Sequence, residues 1–122
     1  MPAIQIEEFV ESVREPGTPN LSPKRIAAAL GLGWEDLAEV ARVHPNTLRL
    51  HPESSRVQAS MRDILRVASA LFEIQPDRDR TTTLKDTPIR EFGGRSLLDM
   101  IREDRVDDAV TYLRSISSGH VG

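Results

Sequence analysis

TPIREFGGRSLLDMI, residues Thr87 to Ile101, is followed closely by RVDDAVTYLRSI, residues Arg105 to Ile116. The first string reads as a proline turn, an extended Ile89-Arg90-Glu91-Phe92, a hinge at Gly93-Gly94 and a short helix. Two adjacent glycines free the backbone for positive φ, which residues with a Cβ resist. Ser96 is placed to cap the helix, with Asp99 three residues on as the acidic half of a capping box. Leu97, Leu98, Met100 and Ile101 supply that helix's apolar side. Val106, Ala109, Val110, Leu113 and Ile116 recur at helical spacing in the next one, with Tyr112 at its edge.

Upstream of this module the apolar pattern is also helical. Val57, Met61, Ile64, Leu65, Ala68, Leu71 and Phe72 follow the i, i+4, i+7 rule, which predicts one long helix from Arg56 to about Ile74, capped by Ser54 or Ser55. Ser22-Pro23 is a start signal, Ser at N-cap and Pro at N1, for a helix with Ile26, Ala27 and Leu30 inside and Gly31 at its end. Trp34 to Val43 forms the next, with Leu37, Ala38 and Ala41 inward, ending at His44-Pro45. A short segment, Asn46 to His51, precedes Pro52. At the N-terminus Ile4, Ile6, Phe9, Val10 and Val13 mark a helix that stops before Pro16. Gln75 to Arg80 reads as a linker, and a short helix is expected around Thr82 to Lys85. No strand pattern of useful length and no repeat appears. The expected fold is all-α, in three parts: an N-terminal helix and linker (1–20), a helix-turn-helix region with the long helix (21–75), and a C-terminal module (76–122).

The 122 residues include no cysteine, which rules out a disulfide scaffold and any cysteine-based metal or nucleophile site. The longest apolar runs fall far short of the ~20 residues that span a bilayer. Acidic residues stand near the N-terminus where a signal peptide would be basic, and a cytoplasmic location is expected. The net charge of −3 is unevenly spread. Residues 1–20 carry four glutamates against Arg14, a local −3, whereas residues 40–70 carry five arginines against Glu53 and Asp63, a local +3.

That basic excess coincides with the helix-turn-helix pattern between Leu21 and His51. Asn46 and Thr47, at the start of a recognition segment, are suited to phosphates or base edges, and Arg49 to guanine. Arg42 and His51 flank them. Pro45 and Pro52 leave only about two turns for recognition, so the same residues also suit a helical hairpin that merely supports the long helix.

The chain resembles the Xre/MbcA/ParS antitoxin family over roughly Pro23 to Ser117, most closely from Leu84 to Leu113. The matching residues are Thr87-Pro88, Phe92-Gly93-Gly94-Arg95, Ser96, Leu98 and the run from Arg105-Val106 to Tyr112-Leu113. Leu97 departs from the pattern, which often has proline there. The resemblance implies an Xre-type DNA-binding region that represses the antitoxin's own operon, and a module that binds a RES-domain toxin acting on NAD by degradation or ADP-ribosyl transfer. It further implies a homodimer within a toxin–antitoxin complex, with the C-terminal end near the toxin's active site. The residues expected to meet the toxin are Phe92, Gly93, Gly94, Arg95, Tyr112, Arg114, Ser118, Gly119 and His120. The glycines and Ser96 are also readable as no more than a helix start, and Ser117 to Gly122 as a frayed end.

No catalytic constellation emerges. His44, His51 and His120 lack the further ligands that a metal site needs. Asp107-Asp108 and Glu103-Asp104 sit at a helix start, where they complement the macrodipole. Gly93-Gly94 lacks the spacing and lysine of a phosphate-binding loop. Ser22, Ser54 and Ser96 all read as caps. The expectation is a binding protein without cofactor or membrane contact; the alternatives are a free-standing helix-turn-helix regulator and an adaptor that no longer binds DNA.

Overall fold

The long apolar stripe does become the spine of the molecule. In a computed structural model, which describes residues 2–74 and 84–117, helix α5 runs from Ser55 to Ile74. Its apolar residues are buried on several sides: Val57, Met61, Ile64 and Val67 are fully enclosed, and Leu65, Ala68, Ala70 and Leu71 nearly so. Ser54 starts it, its hydroxyl and carbonyl accepting from the amides of Val57 and Gln58.

Ahead of α5 come α1 (Pro2–Ser12), α2 (Pro23–Leu30), α3 (Trp34–Ala41) and α4 (Pro45–Leu50). Helix α2 has the expected signals: the Ser22 hydroxyl accepts from the Arg25 amide, Pro23 occupies the first turn, and Gly31 closes the helix at φ 64°. Helix α3 stops at Ala41, two residues before the expected Val43, because Arg42 takes a left-handed conformation at φ 58°. His44-Pro45, expected as an end, instead opens α4. Pro45 sits in its first turn and the His44 ring nitrogen accepts from the Asn46 amide at 3.0 Å.

Behind α5 lie a single helical turn at residues 84–86, a 3₁₀ turn at Arg90–Phe92, and helices α6 (Leu97–Arg102) and α7 (Val106–Ser117). The 3₁₀ turn corrects the extended Ile89-Arg90-Glu91-Phe92. Only Ile89 is extended, paired with Arg95, after which the amides of Phe92 and Gly93 bond back to Ile89 and Arg90. The Ser96–Asp99 capping box forms as expected, with bonds of 3.1 and 3.0 Å in the two directions. Ile116 corrects a second expectation, being 47% exposed rather than inward. The 75–80 linker, and Thr82 of the short helix expected before Lys85, lie outside the described residues.

The protein is all-α; its described residues contain isolated bridges, Arg14 to Leu21 and Ile89 to Arg95, but no strand. Helix α7 packs along α5, α6 closes against α3, α5 and α7, and α1 lies on α5 with Phe9 edge-on to Phe72. Residues from Val13 to Leu113 thus share one core, so helices α1–α4 and the C-terminal helices α6 and α7 are built around the same helix.

A polar group holds the N-terminal part to this spine. Gln58, 6% exposed on the first turns of α5, accepts from the Leu21 amide at 2.8 Å. Its amide nitrogen donates to the carbonyls of Leu21 at 2.9 Å and Pro52 at 2.8 Å. Buried main-chain groups deprived of partners cost about 1–3 kcal/mol each. Gln58→Leu strips a partner from two such groups and from the half-buried Pro52 carbonyl, and is expected to lower stability by on the order of 3 kcal/mol in urea unfolding. A loss below about 1 kcal/mol would mean that water replaces the carboxamide without penalty.

Candidate functional site

Two surfaces gather the residues singled out from the sequence. The first is α4. Leu48 is wholly buried and anchors the helix, and the Trp34 indole donates to the Pro45 carbonyl at 3.1 Å. With Leu48 inward, Asn46, Arg49 and Leu50 face solvent, Thr47 is half-buried, and His51 follows as the exposed C-cap. Leu50, 64% exposed, gives this basic edge an apolar tip that the sequence pattern did not single out. His51 lies 3.6 Å from Glu53. The edge can therefore offer an amide, a hydroxyl and a guanidinium to a partner from a short, anchored helix.

Arg42 does not join that group. Its guanidinium donates to the Arg102 carbonyl at 3.2 Å and pairs with Asp104 at 3.2 Å, which directs it to the turn between α6 and α7. Asp104 is also left-handed, at φ 62°. Two further ion pairs join α3 to the C-terminal part, Lys85 to Asp36 at 2.9 Å and Arg102 to Glu39 at 3.4 Å. Nothing in residue spacing signals these links, because each partner comes from a different element.

The second surface is the loop that precedes α6. Ile89 and Arg95 close it through bonds of 3.0 Å from Ile89 to Arg95 and 2.9 Å from Gly94 to Ile89. Gly93 and Gly94 take φ values of 67° and 89°, the left-handed region where a side chain is strained. Arg95 is engaged within the loop, donating to both Glu103 oxygens at 2.8 and 3.1 Å and to the Phe92 carbonyl at 3.1 Å. Half-buried Phe92 meets Tyr112 at 5.3 Å between ring centres, and the Arg105 guanidinium lies over the Phe92 ring, 5.4 Å from its centre. The Tyr112 hydroxyl is pushed above its ordinary value, first by burial and then by the charge of Glu91. The structure thus brings Phe92, Gly93, Gly94, Arg95 and Tyr112 together. Arg114 is exposed farther along α7, and Ser118, Gly119 and His120 lie outside the described residues.

Among the described residues no cluster of three or more histidines, aspartates and glutamates is arranged to hold a metal ion. No helix there is long and apolar enough to cross a membrane. Compared with known proteins, the chain matches no family model, no curated protein and no solved structure.

The Asp36 pair carries a pH signature. Burial acts to raise the Asp36 carboxyl, but hydrogen bonds from Lys85 and the Gly33 amide, with the charges of Lys85 and Arg102, outweigh it and leave the group below its ordinary 3.8. A depressed carboxyl contributes stability that is present above the unfolded-state value and is lost as pH falls through the folded-state value. Acid unfolding of the native chain is expected to include a loss below pH 3.8 that Asp36→Asn lacks, read by circular dichroism. Parallel acid curves for the two proteins would remove Asp36 from the link. For Arg42, left-handed backbone costs an L-residue roughly 1–2 kcal/mol that glycine avoids. Arg42→Gly is therefore expected to be about 1 kcal/mol more stable than Arg42→Ala in thermal unfolding, both having lost the same side-chain contacts.

Proposed function

We propose that this protein is an antitoxin that binds a RES-domain toxin, one that degrades NAD or transfers ADP-ribose, and neutralises it by covering its active site. The reading rests on the loop from Ile89 to Arg95. The residues that carry the family resemblance each have a distinct physical task there. Gly93 and Gly94 supply two consecutive left-handed positions, Ser96 caps α6, Arg95 ties the loop to Glu103, and Phe92 with Tyr112 forms an aromatic step. Half-buried aromatic side chains, here one on a braced loop and one on α7, are the kind of residue that dominates protein–protein affinity. Because Arg95 is held by Glu103, the aromatic pair is the better anchor, with Arg114 and residues 118–120 as further contacts.

In the same proposal, Asn46, Thr47, Arg49 and His51 on the α4 edge read operator DNA, and the protein acts as a cytoplasmic homodimer within the toxin–antitoxin complex. Arg42 is a brace for this surface and not a contact to DNA. The short α4 and the diversion of Arg42 favour a second reading, an adaptor whose helix-turn-helix no longer binds DNA.

Co-expression with the product of the neighbouring gene, followed by an assay of NAD consumption, tests the first reading. A stable complex in which NAD turnover stops is expected, and an unimpeded toxin would end the proposal. Phe92→Ala is expected to weaken the complex by about 2 kcal/mol, as removal of an aromatic anchor does. Removal of residues 118–122 tests occlusion by the tail; cutting at Tyr112 would also take the buried Leu113 and confound folding with binding. For the DNA reading, Arg49→Ala is expected to cost about 1–3 kcal/mol in operator affinity at fixed salt. An unchanged gel shift favours the adaptor.

A further inference from the structure

Helix α4 has a histidine at each end, His44 as its N-cap and His51 as its C-cap. Both side chains are exposed, but their rings are engaged differently. At the N-terminal end the His44 backbone is extended, at φ −66° and ψ 145°, and Nδ1 of its ring accepts from the Asn46 amide at 3.0 Å. A backbone N–H can only donate. Nδ1 is therefore the bare nitrogen of a neutral imidazole, with the ring hydrogen on Nε2. Protonation puts a hydrogen on Nδ1 as well, and two donors then face each other where the cap bond had been.

The charges around the helix make its two ends respond in opposite senses. On the α3 side, Glu35, Glu39 and Arg42 line a cleft together with Val43 and Pro45, the chain neighbours of His44. Glu39 is paired with Arg102 and Arg42 with Asp104, while Glu35 lies in the first turn of α3. On α4 itself Arg49 is exposed in the last turn. At the C-terminal end the His51 ring lies 3.6 Å from Glu53, and the His51 amide donates to the Thr47 carbonyl at 2.8 Å. A proton on His51 is favourable against both that carboxylate and the final carbonyls of the helix. A proton on His44 places positive charge against the amides of the first turn, which is unfavourable.

The remainder of α4 is fastened independently of the cap. Leu48 is fully buried, and the Trp34 indole donates to the Pro45 carbonyl. An opening that begins at His44 is thus confined to the first turn, where the Leu48 amide bonds to the His44 carbonyl at 3.1 Å and where Asn46 and Thr47 are displayed.

We infer that His44 is a proton-operated latch on α4: the neutral ring closes the first turn, and the imidazolium releases it. Over the range in which imidazoles gain a proton, from about pH 8 to about pH 5, acid loosens Asn46 and Thr47 while Leu48 stays seated. A partner that reads those two side chains from a formed helix is then held more weakly in acid. The inference rests on the geometry of the cap and not on the antitoxin or DNA readings.

The test follows amide hydrogen exchange by NMR in the full native chain and in His44→Asn, His44→Ala and His51→Gln, all at exposed positions. Asparagine keeps a capping acceptor that does not titrate, and alanine has none at any pH. Comparing proteins at one pH cancels the direct effect of pH on exchange. At about pH 5.5 the Leu48 amide of the native chain is expected to exchange about fivefold faster than that of His44→Asn, and at about pH 7.5 at the same rate. His44→Ala should exchange fast at both. His51→Gln should keep the acid response, because His51 acts in the opposite sense. The Cα shifts of Asn46 and Thr47 should move toward coil values in acid in the native chain and stay helical in His44→Asn. Equal Leu48 exchange in the native chain and His44→Asn at acid pH, with unmoved Cα shifts, would overturn the inference. So would loss of the response in His51→Gln, which would assign it to the other end of the helix. A His44→Ala chain that matches the native one at about pH 7.5 would show that the cap bond does not hold the turn, with the same result.

Discussion

One helix has to satisfy packing demands from both halves of the chain. Because α5 is buried on several faces, helices of both the α1–α4 region and the α6–α7 module close their apolar sides against it. Each fully buried aliphatic side chain contributes roughly 1.5–3 kcal/mol, whereas an exposed ion pair contributes about 0–1 kcal/mol. Residues such as Leu98, Met100 and Leu113 therefore outweigh the pairs Lys85–Asp36, Arg102–Glu39 and Arg42–Asp104 in holding the module in place. The ion pairs select one orientation from those the apolar contact permits. That division of labour puts both candidate surfaces on one core.

Sharp turns are where the chain departs from comfortable backbone. Glycine takes up the strain at Gly31, Gly93 and Gly94, but Arg42 and Asp104 adopt the left-handed region with full side chains. These two pair with each other, so the turn entering α4 and the turn leaving α6 brace one another. A glycine at either place would relax the backbone and remove the brace. At Gly94, by contrast, no side-chain function competes, and the space around an added Cβ is open, so only φ favours glycine there.

The apolar stripe from Val57 to Leu71 made α5 legible, and local capping chemistry made Ser22-Pro23, Gly31 and Ser96–Asp99 legible. These signals lie within a few residues of the structure they specify. What stayed hidden depends on partners distant in the chain. Gln58 reads as a surface residue until Leu21, 37 positions away, is laid against it. The contacts of Arg42 come from a carbonyl 60 residues away and a carboxylate in the same α6–α7 turn. The Ile89–Phe92 segment has the β-branched and aromatic character of a strand, yet the left-handed Gly93 turns it back into a 3₁₀ turn. Ile116 keeps the helical period but lies past the part of α7 that is covered. For the candidate surfaces, the clustering of Phe92 with Tyr112 across two elements was invisible to spacing, and which residues of α4 face outward emerged only with the burial of Leu48.

The chain has one tryptophan, and Trp34 donates its indole proton to the first residue of α4. That bond makes the molecule its own optical probe. Indole emission depends on hydrogen bonding and on access of water, so a displacement of α4 from α3 changes the colour and intensity of the only tryptophan signal. Events confined to the Ile89–Arg95 loop reach that signal only if they are passed through α3. Intrinsic fluorescence can thus separate motion at the α4 edge from binding at the module without attaching any label.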